Sequence, residues 1–326
     1  MNWGIIGPGN IAHDFTRDLG LIRSPQRVTA ILGRGQDSID KFTSEFEIEQ
    51  MFTDLGDFIA HGKMDAVYIA TPHPEHCGEA LACLRNRIPV LCEKPMTINE
   101  AQCQQLIRTS RDNNIFLMEG MWIRFLPSIH HVMKFIREGR IGNIVSLKAQ
   151  MSYKAPHEPH SRYFDPALGG GSLLDLGIYP VFLAMLLLGR PAEVKAVAKL
   201  SPEEIDEACS VLFHYDDGAY AILESSLISD INGPAEIQGD RGIIRILNPW
   251  FGKSGGIEVE IFGEGKIVYP CTWEGHGLQF EAEEMIACLD ANKIESDAMP
   301  HDFSLDMIRV LDEIRDQVHV TYAKFE

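Results

Sequence analysis

The chain has 326 residues, more than one compact core usually holds, so two domains are expected. Its 45% hydrophobic and 23% charged content is that of an ordinary globular protein, and a formal charge of −18 excludes nucleic acid and anionic membrane as principal partners, since both demand a basic surface. No uninterrupted apolar run reaches the roughly 18 residues of a membrane span, and the most hydrophobic segment, Tyr179 to Leu188, reads as a buried helix.

Seven cysteines (Cys77, Cys83, Cys92, Cys103, Cys209, Cys271, Cys288) are odd in number and include no C-x-x-C pair, which predicts reduced core thiols rather than a disulfide frame or a zinc site. The opening Met1-Asn2-Trp3-Gly4-Ile5-Ile6 has no basic n-region or cleavage site, so no signal peptide is expected and the cytoplasm is the expected compartment.

Trp3 to Ile6 is a short apolar strand, followed by Gly7-Pro8-Gly9-Asn10-Ile11-Ala12 and the helical pattern Ile11, Phe15, Leu19. In this G-x-G-x-x-A form Gly7 permits a tight turn, Gly9 lets the backbone approach a pyrophosphate, and Ala12 lets the helix pack closely on the strand. The N–H groups at the helix start, around Asn10 and Ile11, then supply an anion site. A plain strand-turn-helix is the bland alternative. The second strand, Val28 to Leu32, ends on Gly33-Arg34-Gly35 rather than on an acidic residue. A carboxylate there bonds a ribose 2′-hydroxyl, whereas Arg34 can clasp a 2′-phosphate, so NADP is favoured over NAD. Asp37 is the residue that could reverse this choice, and a solvated arginine stays open.

Alternation continues with helices around Ser38 to Phe46 and Leu55 to His61 and the strand Ala66 to Ala70, the pattern of a parallel doubly wound sheet. After that strand, Thr71-Pro72-His73-Pro74-Glu75-His76 makes an extended turn from which Pro74 opens a helix toward Arg87. Thr71 and Pro72 are expected to face the cofactor with backbone atoms. His76, in the first helical turn, is expected to be a neutral hydrogen-bonding group, and His73 is a weaker candidate.

Val90 to Cys92 suits a short buried strand, and Pro95 cannot extend it because it has no N–H donor. The chain therefore turns at Glu93-Lys94, and Thr97 with Glu100 has the form of a capping box for a new helix. That places Glu93 and Lys94 at the carboxyl edge of the sheet, where ligands bind in such folds; the alternative is a solvated turn. Ile115 to Glu119 closes the set, and Gly120 marks a boundary between domains 1–119 and 120–326.

Met121 to Pro127 holds Trp122 and Arg124, which either reach the crevice or pack as a linker. A helix from Pro127 to Glu138, ending near Gly139, and a strand from Ile144 to Gln150 follow. The loop Lys154 to Leu168 contains His157-Glu158-Pro159-His160, but Pro159 breaks helical geometry and no third ligand stands nearby, so no metal is expected. In Gly169-Gly170-Gly171-Ser172-Leu173-Leu174-Asp175-Leu176-Gly177-Ile178-Tyr179, the residues Asp175 and Tyr179 are four apart and share a helical face. Set among leucines, they are either paired with each other or aimed at a ligand.

Strands then dominate: Val194 to Lys199, Ala208 to Phe213, Ala219 to Ser226, Ala235 to Gln238, Ile243 to Leu247 and Ile257 to Phe262. Turns at Asp216-Asp217-Gly218 and Gly239-Asp240-Arg241-Gly242 join hairpins. A large, mostly antiparallel sheet with helices on one face is predicted, its other face apolar enough to form a homodimer or higher assembly. Helices Gln279 to Ala291 and Asp302 to Val318 finish the chain.

With G-P-G-N-I-A, A-T-P-H-P-E-H, E-K-P and G-G-S-L-L-D-L-G-I-Y in this order, the chain resembles the Gfo/Idh/MocA oxidoreductases over nearly all its length. Trp122-Ile123-Arg124-Phe125, the tyrosine ending the glycine motif and Phe280-Glu281-Ala282-Glu283 are similar to the branch of dihydrodiol dehydrogenases and NADP-dependent D-xylose dehydrogenases. Many members have histidine where this chain has Tyr179, which speaks against an inositol-type substrate. The resemblance implies an N-terminal Rossmann domain, a C-terminal α/β domain with an open sheet, and Lys94, Asp175 and Tyr179 at the active site. Tyr179 is then expected as acid/base, Lys94 as its electrostatic partner and Asp175 as the group orienting sugar, polyol or diol hydroxyls. The rival assignment makes Lys94 the proton carrier. Two other functions stay open, a non-catalytic NADP(H) sensor and an enzyme that oxidises its substrate transiently during elimination or hydrolysis.

Overall fold

The computed structural model describes residues 1–156, 161–230 and 232–325, so the His157 to His160 stretch lies outside the described residues. Contacts divide the chain into two compact units, 1–124 with 274–305 and 125–273 with 306–326.

In the first unit, strands and helices alternate as β1 (Asn2–Ile6), α1 (Asn10–Leu19), β2 (Arg27–Leu32), α2 (Gln36–Thr43), β3 (Gln50–Phe52), α3 (Leu55–His61), β4 (Ala66–Ile69), α4 (His73–Arg85), β5 (Val90–Glu93), α5 (Glu100–Asn113) and β6 (Leu117–Gly120). The sheet order is β3-β2-β1-β4-β5-β6, all parallel, as predicted for a doubly wound α/β fold. Strands buried on both faces read as continuous apolar runs, and β4 and β5 are buried throughout. Phe15 of α1 stacks on Tyr68 of β4, with ring centroids 3.8 Å apart, and seats the first helix on the sheet. The cap of α5 differs from expectation. Asn99, not Thr97, accepts the Gln102 N–H, and the Thr97 hydroxyl donates to the Asn99 carbonyl.

The second unit begins with α6 (Pro127–Arg137) and β7 (Ile144–Ser152), and its core helix is α7 (Ile178–Leu188). Strands β8 (Glu193–Leu200), β9 (Asp206–His214), β10 (Tyr220–Ser226), β11 (Ala235–Gly239), β12 (Gly242–Ile246), β13 (Ile257–Ile261) and β14 (Gly265–Tyr269) complete it. They form an eight-stranded sheet in the order β14-β13-β12-β11-β7-β10-β9-β8, antiparallel except for the β7 and β10 pair. The apolar helical stretch Pro166–Leu188 is long enough by composition to cross a bilayer, but 83% of its most apolar window is buried, and α7 packs on β7 and β10.

The opposite face of this sheet is less uniformly apolar than expected. The register sets Leu212, Ile222, Lys148, Glu236, Arg245, Glu258 and Val268 side by side across it. Val197, Leu212 and Ile222 are exposed at one end, whereas at the other Arg245 bridges Glu236, Glu258 and Glu260 at 2.8–2.9 Å.

The chain ends with α8 (Gln279–Asp290) and α9 (His301–Val318). The compact units do not follow a single cut at 119/120, because residues 274–305 belong with the first unit. One physical reason is Asp18, at the end of α1. Its carboxylate, 1% exposed, accepts the backbone N–H groups of His276, Gly277 and Leu278 at 2.8–3.0 Å, so an acid from a remote helix caps the start of α8. Asp18→Ala leaves those donors without an acceptor and is expected to destabilise the protein by about 3 kcal/mol, read from the urea midpoint. A loss below about 0.5 kcal/mol would show that the segment is held by other contacts.

Candidate functional site

Because the strands of the first sheet run parallel, the residues that follow β1, β2, β4, β5 and β6 all lie along one edge. That edge carries Gly7, Arg34, Thr71, Lys94 and Trp122. A cleft of about 350 Å³ opens there, lined by Gly7, Pro8, Gly9, Gly33, Arg34, Ser38, Thr53, Thr71, Pro72 and Glu79 among others. Gly7 has φ +91°, and a Cβ there would stand 2.8 Å from the Ala70 carbonyl carbon, so this turn requires glycine. A Cβ on Gly9 would meet no other atom closer than 4.0 Å, which leaves the backbone open toward the cleft. Among the described residues no side chain caps α1, so the N–H groups opened by Asn10 and Ile11 keep their capacity for an anion. An open glycine backbone, an uncapped helix start and a cation across the cleft fit a dinucleotide.

Arg34 lies with Nη1 3.3 Å from Glu75 Oε1 and is two-thirds exposed. Asp37, the residue able to reverse the cofactor choice, is exposed in the first turn of α2, and Arg34 leans toward α4 instead. Thr71 and Pro72 do line the cleft, and the Thr71 hydroxyl donates to Glu79 Oε2 at 2.6 Å. His76 is corrected: it is fully buried, its ring nitrogens 2.7 Å from the Thr71 carbonyl and 2.8 Å from the Pro95 carbonyl. It pins two loops together and offers no free nitrogen to a cofactor. Burial lowers its pKa, and the two carbonyls pull it up. His73 is buried beside it.

Glu93 and Lys94 are 6% and 8% exposed, so the solvated-turn alternative fails. The Glu93 carboxylate accepts from the Tyr68 hydroxyl at 2.5 Å and from the Lys94 N–H at 3.2 Å, which places it in the interior rather than in the cleft. Two further buried acids belong to this unit, and sequence reasoning missed both as site features. Glu119 accepts the Met96 N–H at 2.9 Å. Burial pushes its carboxyl up to about 7, with Ser304, Met96 and Lys94 pulling it down. Glu281 of α8 is fully buried, neither oxygen has a hydrogen-bond partner among the described residues, and burial with Glu93 and Asp18 nearby pushes its carboxyl well above the carboxylate range. Trp122 and Arg124 sit on a 3-10 turn. Arg124 Nε donates to the Ala298 carbonyl at 2.8 Å, which ties this turn to the returning C-terminal segment.

In the second unit the glycine motif folds around a buried acid. Asp206 accepts from the Ser172 hydroxyl at 2.7 Å and the Leu173 N–H at 2.6 Å, and burial raises its carboxyl to about 6 against those donors. Gly171, with φ +126°, passes so close that a Cβ would lie 2.5 Å from Asp206 Oδ1. Leu173–Gly177 is one turn of π-helix leading into α7, a rare geometry found mostly at functional sites. It presents Asp175, 7% exposed, whose Oδ1 lies 3.2 Å from Arg162 Nη1, while Tyr179, 6% exposed, opens α7. The Arg162 guanidinium rests 4.2 Å from the Tyr163 ring centroid. Arg162 was not foreseen, since it lies in the loop that carries no motif. Among the described residues no cluster could hold a metal ion.

Residues 1–121 match the profile of an oxidoreductase family with an NAD-binding Rossmann fold, and residues 129–245 match the GFO/IDH/MocA C-terminal domain. The chain is 32% identical over 333 residues to trans-1,2-dihydrobenzene-1,2-diol dehydrogenase of Xenopus tropicalis, covering 98% of each. It is 30% identical to the Mus musculus protein of that name, covering 99% of this chain and 98% of the other. Its fold is similar to that of an aldose-aldose oxidoreductase from Caulobacter crescentus complexed with glycerol, at TM-score 0.88 and 22% identity over 98% of this chain and 97% of that one. A 3-ketoreductase from Actinomadura kijaniata in complex with NADP and TDP-benzene gives TM-score 0.85 and 23% identity, with 98% of both chains covered.

Proposed function

Since the chain belongs to the Gfo/Idh/MocA oxidoreductase family, we propose that it is an NADP-linked dehydrogenase that oxidises a carbinol of an aldose, cyclic polyol or vicinal diol. The observation that carries this reading is the single sheet edge of the first unit, which carries both a glycine-opened cleft with Arg34 and the lysine that follows β5. Relatives named for a vicinal diol support that substrate class. The nicotinamide cofactor, when bound, accepts the hydride. Gly7, Gly9 and the N–H groups of Asn10 and Ile11 hold its pyrophosphate, and Arg34 takes a 2′-phosphate, which makes NADP the preferred form.

Removing hydride from carbon requires removing the hydroxyl proton as well. A phenol with an ordinary pKa near 10 is a weak base at neutral pH, and an ammonium close by stabilises the phenolate. In this reading Tyr179 takes the proton, Lys94 stabilises the developing oxyanion, and Asp175, oriented by Arg162, positions the neighbouring hydroxyl. The test is nicotinamide absorbance with NADP and NAD against aldoses, cyclic polyols and vicinal diols. A panel without turnover under either cofactor would refute the substrate class. The reading includes a homodimer through the second sheet, supported by exposed Val197, Leu212 and Ile222. Sedimentation as a monomer at micromolar concentration would overturn that part.

A further inference from the structure

The proposed function uses neither of two carboxylates on α4, Glu75 and Glu79, which lie one turn apart on the same helical face. Glu75 holds the Arg34 guanidinium at 3.3 Å, and Glu79, half-buried, lines the cleft together with Arg34. A phosphate dianion brought to Arg34 competes with Glu75 for the guanidinium and shares the cleft with Glu79. A ribose 2′-hydroxyl meets neither obstacle. We propose that Glu75 and Glu79 are specificity-determining residues that oppose a 2′-phosphate at Arg34, so that the charge on Glu79 sets the balance between NADP and NAD. The proposal deepens the cofactor reading given above and rests on Arg34 as the phosphate ligand.

Titration of Glu79 falls where it matters. Burial in the cleft wall pushes its carboxyl up to about 7, the Thr71 hydroxyl pulls it down, Glu75 pushes it up and Arg34 pulls it down. Cys83 of the same helix and Cys92 of β5 also feel Glu79, but burial raises the Cys83 thiol to about 12 and the Cys92 thiol well above its ordinary value, so both stay uncharged. Glu79 is therefore half-ionised near neutrality, and repulsion of the phosphate grows as pH rises. The second ionisation of the phosphate itself, near pH 6, acts in the opposite sense, so wild type has to be compared with a variant at each pH.

The experiment is calorimetric titration of the full chain with NADP⁺ and with NAD⁺ at about pH 6 and about pH 8, for wild type, Glu79→Gln, Glu75→Gln and Arg34→Ala. Glutamine keeps the shape of Glu79 and an acceptor for Thr71, so the fold is retained. At about pH 6 wild type and Glu79→Gln are expected to bind NADP⁺ within about twofold, and at about pH 8 wild type is weaker by roughly fivefold. NAD⁺ affinity stays within about twofold throughout, and Glu75→Gln tightens NADP⁺ by about threefold at both pH values, as suits an exposed pair. A flat ratio of wild type to Glu79→Gln across this range, or NAD⁺ moving in parallel, overturns the proposal. Arg34→Ala reads the cofactor assignment separately: loss of the NADP preference supports it, and unchanged affinities for both dinucleotides refute it together with the acid wall built on it.

Discussion

Replacing Lys94 by methionine is expected to lower kcat by about 10²–10³-fold while leaving dinucleotide affinity within about threefold. The asymmetry follows from position. Lys94 follows β5, whereas the cleft that fits the dinucleotide lies over β1, β2 and β4 and does not include Lys94 in its lining. Methionine fills the same buried volume without charge, and the neighbouring acids can adapt. Glu119, which Lys94 pulls down, already titrates at about 7 and goes neutral more readily once the ammonium is gone. Thermal unfolding within a few degrees of wild type would establish that the loss is chemical. Loss of cofactor affinity in step with turnover would move Lys94 from the chemistry to the binding of the dinucleotide.

Tyr179→Phe is expected to reduce kcat by about 10²–10⁴-fold with little change in stability. The ring fills the start of α7 in a buried position, so removing one hydroxyl leaves the packing in place. The pH profile separates a proton acceptor from a hydrogen-bonding spectator. Oxidation needs the deprotonated phenol, so wild-type kcat/KM rises with pH through the apparent pKa of that group, and the rise disappears in the phenylalanine variant. Near-normal turnover in Tyr179→Phe would reject the assignment in favour of Lys94 as the proton carrier.

Much of this was legible in the sequence because the relevant signals are local. Buried parallel strands announce themselves as apolar runs, and Gly7, Gly9 and Ala12 constrain the first turn by size alone. The unpredicted strands are short edge strands that stay largely exposed. β3 is three residues long with Gln50 and Met51 exposed, and β14 is exposed along nearly all its length. The start of α5 carries two overlapping cap patterns, Thr97 with Glu100 and Asn99 with Gln102, and only the backbone path decides between them.

Long-range partnerships left no trace in the local pattern. Nothing near Asp18 in the sequence points to its partners, because the N–H groups it caps lie 258 to 260 residues away. The sequence around Glu75 and Glu79 gives no sign of Arg34, and only the sheet order brings that helix face to it. Likewise, the spacing of Asp175 and Tyr179 predicts one α-helical face, whereas Asp175 sits in a π turn that no residue type in Leu173–Gly177 predicts.

Hydride transfer to nicotinamide is the claim on which the rest stands, and paired recording of absorbance and substrate tests it most directly. With NADP⁺ and a diol or aldose that is consumed, one equivalent of reduced cofactor is expected for each equivalent of substrate lost. Substrate disappearing while the nicotinamide band stays flat would contradict net oxidation and point to transient oxidation within an elimination or hydrolysis.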